Sequence, residues 1–222
     1  MSSVKLVSIT QPKIDGVKTA EDLVVYCARV SNPVSQEAGE NPERLLNYCI
    51  RKGHWSVFEM ADMTLEIVAP RDVTRQMIRH YSFRFQEFSQ RYAVVTEFQM
   101  RECRLQDDTN RQNSIECPEN SSAAGWWRQI QQVVSKEILA AYKDAIRRGI
   151  AKEVARAILP EGLTMSRLYM HGNLRSWIHY FQVRREAGTQ KEHREVAEAA
   201  WVIFAEQFPT IAAACEEVGR GA

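Results

Sequence analysis

The chain has 222 residues, 45% of them hydrophobic and 26% charged, enough to bury a sizeable core in one domain spanning 1–222. A formal net charge of +1 argues against a general nucleic-acid binder held by a basic surface, and no apolar run approaches the roughly 20 residues of a membrane span. The five cysteines, Cys27, Cys49, Cys103, Cys117 and Cys215, are scattered without a CxxC pair and read as reduced, mostly buried thiols; with no basic-then-apolar leader pattern, a cytoplasmic protein is expected.

Alternation over 4–9 predicts a short strand, followed by turn residues at 11–16. Thr19 with Asp22 forms a capping-box pattern for a helix to about 30. Asn41-Pro42-Glu43 starts a second helix, with Gly53 suited to its C-terminal cap. Met63, Leu65 and Ile67 alternate with Thr64 and Glu66 in a strand. A helix then begins after Pro70, on which Arg75 and Arg79 share one face and Gln76 and His80 the next. From Ser82 the period changes to alternation. Residues 92–100 read as a strand, and 106–122, rich in Asn, Asp, Glu and Ser, as an exposed loop. A long amphipathic helix runs from Trp126 to Gly149, a short one covers 151–159, and 163–170 suits a strand. Asn173 caps a helix over 174–186, and Thr189 with Glu192 reads as a capping box for a helix to Phe208. The fold class is α+β, a sheet of antiparallel or mixed strands with long helices.

Residues 75–92 carry four arginines, and no lysine occurs from Gly53 to Ser135. A guanidinium offers a planar fork of donors that matches phosphate or carboxylate oxygens in pairs, so this stretch points to a phosphorylated ligand. Arg156, Arg175 and Arg184 recur on later helices. The five histidines show no HxxxH or HExxH spacing, so no metal is expected, and neither GxGxxG nor GxxxxGK[ST] is present. Phosphate must therefore be held by side chains.

Five blocks, GHWSVFE, RQMIRH, EFSQRY, EVARAILP and NLRSWIHYFQVR, stand in an order that resembles the flavin-dependent thymidylate synthase family across 54–185. The family signature is Arg-His-Arg, seven residues, then Ser. Arg79, His80 and Ser89 match it in register, with Tyr81 in the third place and Gln86 where asparagine is common. The resemblance implies methylation of dUMP to dTMP, with 5,10-methylenetetrahydrofolate as carbon donor and NADPH-reduced FAD as hydride source. It also implies a homotetramer with active sites shared between subunits, and no enzyme nucleophile.

Carried over by position, dUMP would be held by Gln76, Arg79, Glu87, Phe88, Ser89, Gln90, Arg91, Arg156 and Arg184. Arg91, Arg156 and Ser89 would clamp the phosphate. Arg184 would be the catalytic residue, favouring loss of the uracil N3 proton. FAD would be held by His54, Ser56, Arg79, His80, Tyr81, Glu87, Asn173 and His179, an aromatic face replacing one cationic contact at Tyr81. Two other readings stay open: an RNA-binding module stacking bases on Phe83, Phe85, Phe88 and Tyr92, and a flavoprotein of the same fold with altered activity, suggested by Tyr81.

Overall fold

Period-two burial builds the central sheet. In this computed structural model, which describes residues 2–38 and 41–220, the strands are β1 (Ser3–Ile9), β2 (Asp62–Pro70), β3 (Arg84–Glu87), β4 (Arg104–Gln106), β5 (Ser114–Glu116) and β6 (Met165–Asn173). Four of them form an antiparallel sheet in the order β1-β2-β6-β3, with Leu65 opposite Met170 and Phe85 opposite the same residue from the other side. Met63, Leu65 and Ile67 of β2 and Leu168 and Met170 of β6 are fully buried on one face. Thr64 and Glu66 lie on the other face, where they bond His171 (2.9 Å) and Tyr169 (3.0 Å).

The helices are α1 (Ala20–Ala28), α2 (Pro33–Ala38), α3 (Pro42–Lys52), α4 (Arg71–Met77), α5 (Ser122–Arg147), α6 (Lys152–Ala155), α7 (Leu174–Arg184), α8 (Lys191–Gln207) and α9 (Pro209–Arg220). The Thr19–Asp22 capping box forms with both bonds at 3.0 Å, and Gly53 ends α3 in the left-handed region at φ 68°. Asn173 caps α7 by accepting from Ser176 N at 2.9 Å. Trp177 of α7 lies fully buried against the sheet and donates its indole N–H to Met63 O at 3.0 Å, so helix and strand are joined by a bond as well as by apolar area. Glu21 accepts from Ile211 N at 2.8 Å, which fastens the start of α9.

Several expectations are corrected. Residues 92–100 are not a strand: they leave a turn at 91–93 and run on as irregular chain, with one isolated bridge between Phe98 and Thr164. Val95 alone is buried there, under Tyr142 and Ala155. The 106–122 segment is not all loop, since β4 and β5 pair as a hairpin whose turn is tied by the Asp107 carboxylate to Thr109 and Asn110. Thr189 and Glu192 make no capping box. Thr189 donates to Val183 O, and Glu192 faces two arginines. Helix α4 ends at Met77, before Arg79 and His80, so the expected shared helix faces are not formed. All five thiols are free, but among them Cys49 alone is fully buried.

Gly172 lies under the Phe83 ring, where a Cβ would stand 2.5 Å from Cδ1. Phe83 is itself wedged against Trp177 (ring centroids 4.8 Å apart), so it has little room to yield. Gly172→Ala is expected to destabilise the protein by about 1–3 kcal/mol in urea unfolding.

Candidate active site

The C-terminal end of α4, the end of α7 and the start of α8 meet at a buried polar cluster. Arg184 donates from Nε to His80 Nε2 at 2.9 Å. A cation cannot coexist comfortably with that guanidinium: burial first, and the Arg184 charge second, lower the His80 pKa to about 4. His80 is thus neutral near pH 7, with its proton on Nδ1, and its ring stands edge-on to Tyr180 at 5.1 Å. Arg184 is only half-buried, yet no carboxylate meets it among the described residues. Four other half-buried arginines, Arg71, Arg101, Arg104 and Arg185, each face an acid, whereas Arg156 and Arg194 donate to backbone carbonyls.

Gln76 bonds His193 Nδ1 through Oε1 (3.1 Å) and donates from Nε2 to Gln190 Oε1 (2.6 Å). His193 is fully buried and meets Tyr180 OH through Nε2 at 3.1 Å. Burial, then the charges of Arg184 and His80, push its pKa down to about 3. Gln190 in turn donates to Glu192 (2.9 Å), which also faces Arg104 (2.7 Å) and Arg101 (3.2 Å).

Glu87, at the end of β3, is held from all sides. Ser166 donates to its Oε1 at 2.8 Å, the Thr74 hydroxyl lies 3.2 Å from the same oxygen, and Arg71 and Arg75 stand at 3.5 and 3.6 Å. A carboxylate so occupied aligns Arg71 and Arg75. The Arg156 charge is also felt by Arg71. Arg71, Thr74, Ser166, His193, Gln190 and Glu192 were not singled out from sequence as site residues, and no local spacing marks them.

Two of the three expected phosphate ligands, Arg91 and Arg156, meet at Glu153, and the third, Ser89, meets Arg91. Arg91 pairs with its carboxylate at 3.2 Å, Arg156 donates to its carbonyl at 3.3 Å, and the Ser89 hydroxyl accepts from Arg91 N at 3.3 Å. The Arg91–Glu153 pair is exposed and contributes about 0–1 kcal/mol, so a dianionic phosphate can replace the carboxylate on the guanidinium. Phe88 is exposed, with its backbone N–H on Arg167 O, whereas Gln90 is buried with an unpartnered Nε2.

Toward the other end, Trp55 stands edge-on to His179 at 4.8 Å. His54 and Ser56 flank that tryptophan on a single 3-10 turn, Trp55–Glu59, and both are exposed. Burial, then the Arg175 charge, lower the His179 pKa. Asn173 spends its Oδ1 as the α7 cap and keeps its amide hydrogens. Arg79 is exposed without an intrachain partner among the described residues, and Tyr81 is 88% exposed.

A cavity of about 720 Å³ lies elsewhere, between β4, α5 and the 160–163 turn, lined by Trp126, Trp127, Ile130 and Leu163. It borders the cluster through Arg101, Arg104, Gln190 and Glu192. Arg79, Tyr81, Phe88 and Arg91 are exposed and do not line that cavity.

A family model described as "Thymidylate synthase complementing protein" matches residues 14–210. The flavin-dependent thymidylate synthase of Synechocystis is 51% identical over 216 residues, covering 96% of this chain and 99% of its own length. The probable flavin-dependent thymidylate synthase of Paramecium bursaria Chlorella virus 1 is 47% identical over 218 residues, covering 97% and 100%. Among solved structures, a UMP/dUMP methylase PolB from Streptomyces cacaoi, bound with 5-Br UMP, superposes with a TM-score of 0.83 at 26% identity, covering 99% of this chain and 96% of that one. Fold, site and relatives together define a flavin-using methyltransferase of nucleotide biosynthesis. The chain belongs to the flavin-dependent thymidylate synthase family.

Proposed function

We propose that this enzyme converts dUMP to dTMP, taking the carbon from 5,10-methylenetetrahydrofolate. FAD, reduced by NADPH, would supply the hydride. The observation that carries this reading is Arg184: a half-buried guanidinium whose one bonded side chain among the described residues is a neutral imidazole. Such a cation can stabilise anionic charge on the uracil ring after loss of the N3 proton, while giving up no proton of its own. Arg91, Arg156 and Ser89 hold the phosphate, and Arg79, Gln76 and the Glu87–Gln90 strand end flank the nucleotide.

The residues present fit a flavin. Neutral His80 and His179, the Ser56 hydroxyl, the Asn173 amide and the His54 ring offer hydrogen bonds, and Arg79, without a partner among the described residues, suits a pyrophosphate. The exposed Tyr81 ring can stack where the family has arginine. Exposure of this whole side supports a homotetramer in which a second subunit closes each site. The reaction is read without an enzyme nucleophile: the Ser89 hydroxyl accepts from Arg91 N and meets no base among the described residues, and burial pushes the Cys215 thiol up to about 12.

The test is tritium release from 5-tritiated dUMP, requiring FAD, NADPH and methylenetetrahydrofolate together. A protein that takes up no flavin and releases no tritium overturns the proposal; flavin uptake with dUMP-independent NADPH oxidation would favour the altered-activity flavoprotein. Ser89→Ala should keep dTMP formation, with the dUMP KM raised about tenfold for one lost charge-assisted bond. Loss of kcat with unchanged dUMP affinity would instead indicate covalent catalysis.

A further inference from the structure

The hydrogen bonds behind Gln76 run in one direction, and a single carboxylate sets it. Glu192 lies between Arg101 and Arg104. Burial alone would raise its pKa, but the bond from Gln190, its own backbone N–H and the two arginines leave the pKa lowered, so it is ionised and can only accept. The Gln190 amide must therefore turn its NH2 to Glu192, which leaves its Oε1 to face Gln76. Gln76 must answer with NH2, which leaves its Oε1 to face His193 Nδ1. His193 must then carry its proton on Nδ1, and Nε2 accepts from Tyr180 OH. Reversing any one member sets two acceptors or two donors against each other at 2.6–3.1 Å.

We propose that Glu192, Gln190 and His193 are positioning residues that lock Gln76 in one amide orientation, so that it offers its remaining N–H to an oxygen of the bound nucleotide. The inference rests on the dUMP reading above. A freely turning amide would present carbonyl or NH2 about equally. The locked one is matched to an acceptor, and an incoming donor would meet a donor.

Nitrogen NMR of histidine-labelled holoenzyme at pH 7 tests the polarity directly: His193 should show a protonated Nδ1 and a bare Nε2. The opposite tautomer, or a cation, overturns the proposal. Kinetics test the consequence. Glu192→Gln keeps the shape but lets the amide chain run either way, so the dUMP KM should rise about tenfold while kcat changes less than about threefold. Gln190→Met, which removes the middle link, should do the same and serves if the first variant folds poorly. A dUMP KM within about twofold of wild type in both folded variants, or a loss confined to kcat, overturns the proposal. If wild-type enzyme neither binds nor methylates dUMP, the functional reading fails instead, and the His193 tautomer still reports on the relay.

Discussion

Arg184→Ala should lower kcat/KM for dUMP methylation by about 10²–10³-fold, with kcat falling nearly as far, because the interaction removed is one that strengthens as charge develops on the ring. The geometry separates this residue from its neighbour. Arg185 pairs with Glu198 and Glu216, both at 2.9 Å, and lies over Trp201, so Arg185→Ala should affect stability and leave kcat/KM close to wild type. Arg184→Lys keeps the charge but loses the Nε–H that grips His80 at 2.9 Å, so it should recover only part of the activity. His80 supplies a second readout. The Arg184 charge is one of the two causes holding its pKa near 4, so in Arg184→Ala that pKa should rise towards the ordinary 6.5 without reaching it, burial remaining. A kcat/KM within fivefold of wild type in the alanine variant would remove Arg184 from the chemistry.

Local signals and tertiary convergence divide what the sequence reveals. The Thr19–Asp22 box, Gly53 and Asn173 act within a few residues of themselves, and each does what its spacing predicts. The Thr189–Glu192 pattern has the same spacing, but Glu192 is claimed by two arginines from the β4 region, and charge-assisted bonds outcompete a local cap. Alternation at 92–100 misled for a related reason: Val94 and Met100 stay exposed, and Gln99 N bonds Leu163 O, so the backbone is satisfied without a strand. In the site, Arg79, His80 and Arg184 were legible through ordered blocks. His193, Gln190 and Ser166 were not, since they act by meeting Gln76 and Glu87 from 79 or more positions away.

Acidification should destabilise the protein well above the range where carboxylates titrate. His193 has a folded pKa of about 3 and His80 of about 4, both below the ordinary 6.5, so the unfolded chain takes up protons first. Their stabilisation is complete above pH 6.5 and is lost as pH falls towards 4 and then 3. His193, fully buried, should alone account for about 3 kcal/mol between pH 7 and pH 4. His80 is partly open to solvent and contributes less than its shift would suggest. The cause is specific: a second proton on His193 forces Nε2–H against the Tyr180 hydroxyl, whose own hydrogen then has no acceptor in a fully buried position, beside the Arg184 charge. His193→Gln supplies a donor and an acceptor that do not titrate. Urea unfolding at fixed protein concentration between pH 5 and 6.5 should therefore give a wild-type slope steeper than the variant's by about 1 kcal/mol per pH unit near pH 5.5. Equal slopes would mean that His193 already accepts its proton in the folded enzyme, and that the buried relay tolerates a cation.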